Sequence, residues 1–177
     1  GFADESSRPE RILAFPNQTD GPVSSPPPGI LTAAVSADGK YIVAGDRGGE
    51  ARLWHSQTGK PVKPSASATD SGEQPIVLRH TAPVTAVAFS PDGLRVFTGS
   101  EDATAKIWDF ASGRELLTLR GHAKTVTSVA FPPTWPKTGL RYALTASMDG
   151  TAILWPAEIW AEKGKTVIAP SEANRRP

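Results

Sequence analysis

Apolar and polar positions alternate along this chain in short runs, and one such pattern occurs three times, each time closing on a tryptophan. The copies are Ile30–His55, Val84–Asp109 and Val126–Pro156. In the second copy, Val84, Ala86 and Ala88 fall on one face of an extended run and Thr85, Val87 and Phe89 on the other. Both faces carry apolar groups, which predicts a strand in a sheet packed between neighbouring sheets. Ser90–Gly93 ("SPDG") is a turn, because proline presets φ and Asp and Gly suit the positions that follow. Leu94–Ser100 is a second strand, Glu101–Thr104 a tight turn and Ala105–Asp109 a third strand. Phe110–Arg114 turns the chain again, and Glu115–His122 is a fourth strand leading into the next copy. The unit is thus a meander of four antiparallel strands, and its recurrence predicts a repeat architecture.

The spacing between copies varies for identifiable reasons. From His80 to His122 the period is 42 residues, while the tryptophans are separated by 54 (Trp54 to Trp108) and 47 (Trp108 to Trp155). A polar insertion, Lys63–Gln74, precedes the strand Pro75–Arg79, and Pro132–Gly139 replaces the compact turn in the third copy. Such insertions fall in loops and leave the strands in phase. Upstream, Gly1–Glu10 reads as a charged tail, Arg11–Phe15 as a short strand and Pro16–Gly29 as a proline-rich loop. Downstream of Trp155, Pro156–Pro170 predicts a turn or short helix and then a strand near Thr166–Ala169 that would finish the third unit.

Composition adds boundaries. Hydrophobic residues make up 38% and charged residues 21% of the 177, as in an ordinary globular chain able to bury a core. Nineteen basic and 18 acidic residues leave a formal net charge of +1, so no overall field favours nucleic acid or an anionic membrane, and neither is expected as a partner. No apolar run approaches the roughly 20 residues of a membrane span. The absence of cysteine rules out disulfides and thiolate metal sites without naming a compartment. No signal-peptide pattern is present, and the compartment stays open, with a soluble cytoplasmic chain expected ahead of a secreted one. It opens on Gly1 rather than methionine, which suggests a piece of a longer protein.

The "SPDG" turn, the "GH" pair (Gly121, His122), the "WD" pair (Trp108, Asp109) and an Asp six residues before Trp together resemble WD40 repeats over about Ile30 to Pro156. The fold that this resemblance implies is an all-β β-propeller, here a fragment of about three four-stranded antiparallel blades. Residues 1–29 would then hold a tail and the outer strand of a preceding blade. Blade 1 would span 30–79 with its insertion at 63–74, blade 2 80–121, blade 3 122–170, and a polar tail 171–177. The polar ending, "SEANRRP", would place missing blades upstream.

By the same resemblance, His80, Thr98, Asp102 and Trp108 form a structural hydrogen-bond tetrad in the second unit, and His122, Thr145, Asp149 and Trp155 in the third. The imidazole would link the turn Asp to the strand Thr, which accepts the indole N–H. The first unit departs from this pattern: Gly48 stands at the Asp position, Ala44 at the Thr position, and no "GH" precedes it, which puts that blade's rigidity in doubt. A His, Thr and Asp set could also suggest acid–base chemistry. Recurrence once per unit argues for a structural device. No two of His55, His80 and His122 sit at metal-ligand spacing, so neither metal nor cofactor is expected. "GDRGGE" (Gly45–Glu50) matches no phosphate-binding pattern and aligns with a turn.

Partners in this family usually dock on one rim. Carried over by position, its residues are Arg47, Glu101 and Met148 in the turns, and Leu31, Thr85 and Thr127 at the start of the first strands, preceded by Gly29, Pro83 and Thr125. Trp135, in the long loop of the third unit, is a further candidate. The expected function is a protein–protein interaction scaffold without enzymatic activity. The alternatives are a ligand-binding propeller or the sensor of a larger signalling enzyme; the first strands, "LTAAV", "TAVAF" and "TSVAF", offer no acid or base to a channel. Three blades cannot close a ring, and their end faces demand cover. Missing blades from a longer chain, self-association, or completion of a partner's propeller would each supply it.

Overall fold

The computed structural model describes residues 28–64, 74–133 and 142–156, together with the backbone of 165–168. Each copy of the pattern folds into its own sheet. The first contains β1 (Ile30–Val35), β2 (Tyr41–Asp46), β3 (Glu50–His55) and β4 (Val77–Arg79), in that spatial order. The second contains β5 (Val84–Phe89), β6 (Arg95–Ser100), β7 (Thr104–Asp109) and β8 (Glu115–Arg120), and the third β9 (Val126–Ala130), β10 (Tyr142–Ser147) and β11 (Ala152–Pro156). Neighbours within each copy pair antiparallel, and the tryptophan strand always lies beside the second strand: Trp54 opposite Ile42, Trp108 opposite Val96, Trp155 opposite Ala143. These are three propeller blades, and they do not close on themselves.

One expectation is corrected. The last strand, β12 (Lys165–Ile168), does not finish the third blade; it lies parallel to β8, outside the second blade. Among the described residues the third sheet therefore has three strands. Antiparallel continuation from β11 needs only a tight turn, whereas the longer connection here lets the chain reach back to the unpaired outer edge of β8. The predicted upstream strand at Arg11–Phe15, most of the 63–74 insertion and Trp135 lie outside the described residues.

The turns follow from short polar side chains. In "SPDG", the Ser90 hydroxyl donates to Asp92 Oδ1, which also accepts the Leu94 N–H at 3.0 Å, while Gly93 takes φ 70°. "SADG" repeats this arrangement with Ser36, Asp38 and Gly39 (φ 72°). The Ser36 hydrogen bond is the main reason the Asp38 carboxyl sits below the ordinary carboxylate range.

The core is divided between two joints. Val43, Ala51, Leu53 and Leu78 of the first blade pack against Val84, Val96 and Trp108 of the second. One repeat later, Phe97, Ala105, Ile107 and Leu119 of the second blade pack against Val126, Ala143 and Trp155 of the third. Glycine makes the closest approach possible. A Cβ on Gly45 would stand 2.5 Å from Val84 Cγ1, and one on Gly99 2.7 Å from Val126 Cγ1. A β-carbon at either place would push the blades apart. The apolar content of both strand faces is thereby explained for the second blade: one of its faces meets the first blade and the other the third.

Candidate functional site

The polar residues of the second blade meet around one imidazole. His80 Nδ1 lies 3.0 Å from Asp102 Oδ2, and Nε2 lies 2.7 Å from Thr98 Oγ1. Trp108 Nε1–H donates to the same Thr98 oxygen at 2.8 Å. The indole can only donate and the ionised Asp102 can only accept, so the His80 proton lies on Nδ1, and Thr98 accepts from the indole while donating to His80 Nε2. Threonine on β6, tryptophan on β7, aspartate in the turn between them and histidine before β5 thus form a continuous relay. The third blade brings together His122, Asp149 (3.1 Å), Thr145 (2.7 Å) and Trp155 (indole to Thr145, 2.9 Å) in the same way.

Two further residues per blade belong to these networks. Thr104 and Thr151 donate from both backbone and hydroxyl to Oδ1 of Asp102 and Asp149. Ser100 and Ser147 bond the chain just ahead of their own blade's first strand, donating to the carbonyls of Ala82 and Lys124 at 3.0 Å each. Their sequence signal was the shared S-x-D-x-T spacing, which the tetrad pattern does not contain. Burial of Asp102 opposes its ionisation, but hydrogen bonds from His80 and Thr104 outweigh it and hold the carboxyl well below the ordinary range. For Asp149 the hydrogen bond from Thr151 is the largest cause of the same downward shift.

Chemically, these groups are spent on one another. The His80 side chain is fully buried and both its ring nitrogens have partners, so it presents no base to solvent. Among the described residues no cluster of three His, Cys, Asp or Glu could hold a metal ion.

The first blade fills the same space differently. Asp46, buried at the position of Ser100, accepts the Glu50 N–H at 2.9 Å. Glu50 replaces the turn threonine, and its carboxylate pairs with Arg52 at 2.6 Å and with Arg79. Arg52 and Glu50 are almost entirely buried, while Arg79 is largely exposed. The first blade thus carries an ion network and lacks the tetrad. The sequence reading missed it because Glu50 and Arg52 lie on β3 and Arg79 on β4, which only the pairing of these strands brings together.

The rim candidates fall into repeated pairs. The Arg47 N–H bonds the Gly29 carbonyl, Glu101 the Pro83 carbonyl and Met148 the Thr125 carbonyl, each at 3.0 Å. A fixed backbone frame thus presents a cation, an anion and an apolar group at equivalent points, all three exposed. Thr85 and Thr127 are placed differently. The Thr85 hydroxyl bonds the carbonyls of Gly99 and Val126, bridging two blades, and Thr127 bonds Ala146 O. Leu31 is exposed on the first blade.

The description of the WD domain, G-beta repeat fits this chain three times, over residues 21–55, 72–109 and 113–156. The chain belongs to the WD40-repeat family. A similar protein is "Dynein assembly factor with WD repeat domains 1" of Danio rerio, 54% identical over 52 residues, which cover 29% of this chain and 12% of that protein. "Nuclear distribution protein nudF 2" of Penicillium rubens is 29% identical over 150 residues, 78% of this chain and 30% of its own. An "mRNA export factor" of Macaca fascicularis is 30% identical over 105 residues, covering 59% of this chain and 24% of its own. The chain thus spans less than a third of the length of each of these relatives.

Proposed function

We propose that these WD40 blades form part of a rigid docking platform for other proteins, without enzymatic activity of their own, and that contact is made on the rim of Arg47, Glu101 and Met148. The observation that carries this reading is the repeated backbone frame. Identical hydrogen bonds hold three chemically different side chains in equivalent exposed places. Loop residues on a rigid scaffold can vary in chemistry without disturbing the fold, which suits recognition. Met148, 66% exposed, supplies an adaptable apolar contact. Support also comes from the relatives, whose names point to dynein assembly, nuclear distribution and mRNA export: three tasks borne by one repeat type.

The test is a comparative capture experiment. Proteins retained from cell extract by the unmodified chain are quantified beside those retained by an Arg47→Glu, Glu101→Lys, Met148→Asp variant. The variant should lose most of the retained proteins while melting within a few degrees of the parent. An unchanged set on a normally folded variant would refute the rim as the docking face.

A further inference from the structure

The two ends of the arc are not alike. On the third blade, Leu144 and Leu154 stand at the repeat positions of Phe97 and Ile107 and are 37% and 60% exposed. The first blade has its end face on the opposite side. Its Val43, Ala51 and Leu53 point to the second blade. Successive strand residues point to opposite sides, so Ile42, Ala44, Arg52 and Trp54 point away from it. In the other two blades these positions meet the blade before: Val96 and Trp108 pack on the first, Ala143 and Trp155 on the second. Among the described residues no blade precedes the first, and only Pro28 and Gly29 stand ahead of β1. Yet Trp54 is 3%, Ala44 7% and Arg52 9% exposed, and neither Trp54 nor Ala44 belongs to a joint between blades. This end of the arc is covered.

The cover is narrower than a blade. Where the second blade meets the first, its innermost strand takes part as well: Val87 and Phe89 of β5 pack into the joint. Their counterparts on β1, Ala33 and Val35, are both exposed. Burial is thus confined to a strip over β2 and β3. Only one part of the chain outside the described residues fits that strip. Residues 65–73 and 169–177 carry no apolar side chain larger than alanine or proline. Residues 134–141 leave from the third blade, and 157–164 run from β11 of the third blade to β12 beside the second. Residues 1–27 contain Ile12, Leu13 and Phe15, and they end at the right place. Pro28 lies 3.4 Å from where a Cβ on Gly48 would stand, and the Gly29 carbonyl accepts the Arg47 N–H, both in the turn that joins β2 to β3. At about 3.3 Å per residue, the stretch from Phe15 to Pro28 outruns the six residues of β3.

We propose that residues 1–27 cap the outer half of the first blade's end face, with Ile12, Leu13 and Phe15 laid on Trp54 across β2 and β3. The segment takes the place of a preceding blade there and closes that strip to a second copy of the chain. The inner strip, at Leu31, Ala33 and Val35, stays open.

The test reads each indole separately in the full chain. With fluorotryptophan incorporated, the fluorine resonances of Trp54, Trp108 and Trp155 are assigned by Trp54→Phe, Trp108→Phe and Trp155→Phe. The shift of each on replacing water by heavy water reports its contact with solvent. In the parent all three should shift little. In an Ile12→Asp, Leu13→Asp, Phe15→Asp variant the Trp54 shift should rise to that of an exposed indole, with Trp108 and Trp155 unchanged. An Ala66→Asp, Ala68→Asp variant should behave as the parent. The chain has no cysteine, so a nitroxide attached through Asn17→Cys gives a second reading, and it should broaden the Trp54 resonance more than that of Trp155. A Trp54 that stays dry in the triple variant, that is wetted only by Ala66→Asp, Ala68→Asp, or whose shift depends on protein concentration would overturn the proposal. If the triple variant unfolds and all three resonances move together, the nitroxide decides: broadening of Trp54 no greater than that of Trp155 overturns it.

Discussion

Thr98 and Thr145 each accept an indole N–H and donate to an imidazole, so one hydroxyl satisfies two buried groups. Thr98→Val keeps the shape and removes both bonds. An unsatisfied buried donor or acceptor costs about 1–3 kcal/mol, so urea unfolding should show a loss of that order. A change within error would mean that the network contributes nothing. The aspartates give these sets a pH dependence. Asp102 and Asp149 have folded pKa values below their unfolded ones, so their ionised forms favour the native state. That contribution is complete above the unfolded carboxylate range, near pH 4, and fades as pH falls below it toward the folded values. Urea midpoints should therefore drop steeply between about pH 4 and pH 2 in the parent, and less in an Asp102→Asn, Asp149→Asn double variant. At this scale the sequence was readable where residue types recur at fixed offsets. The Glu50 ion network was hidden because Arg79 reaches it only through the pairing of β3 with β4, which no spacing encodes.

At the level of strands and turns, alternation of apolar residues and the "SPDG" turn gave β5 to β8 nearly to the residue. The destination of β12 was not legible, because a short apolar strand carries no record of which free edge it will join. A related limit concerns the turn before the third strand. Ala103 adopts φ 63° where the other two blades use glycine, Gly49 and Gly150 at φ 85°, so the conformation belongs to the turn and not to the residue. Glycine is required for a different reason at the joints, where a side chain has no room. Gly45→Ala should destabilise the chain by about 1–3 kcal/mol through its clash with Val84, and pairing it with Val84→Ala should recover part of the loss. Thermal or urea unfolding of the single and double variants measures this coupling; purely additive losses would argue against direct contact.

For the molecule as a whole, three blades are joined by two apolar interfaces, and stability is shared between neighbours as in other linear repeats. The count of copies made the open arc evident from sequence, but which residues face the gap required the structure. Leu144 and Leu154 look no different in sequence from Phe97 and Ile107, and only position separates exposed from buried. Above all, each blade is held by the faces of its neighbours. Amide hydrogen exchange on the isolated chain reads that directly. The second blade, covered on both sides, should be best protected, with β6 and β7 exchanging at least about tenfold more slowly than β10 and β11. Equal protection across the three sheets would contradict it.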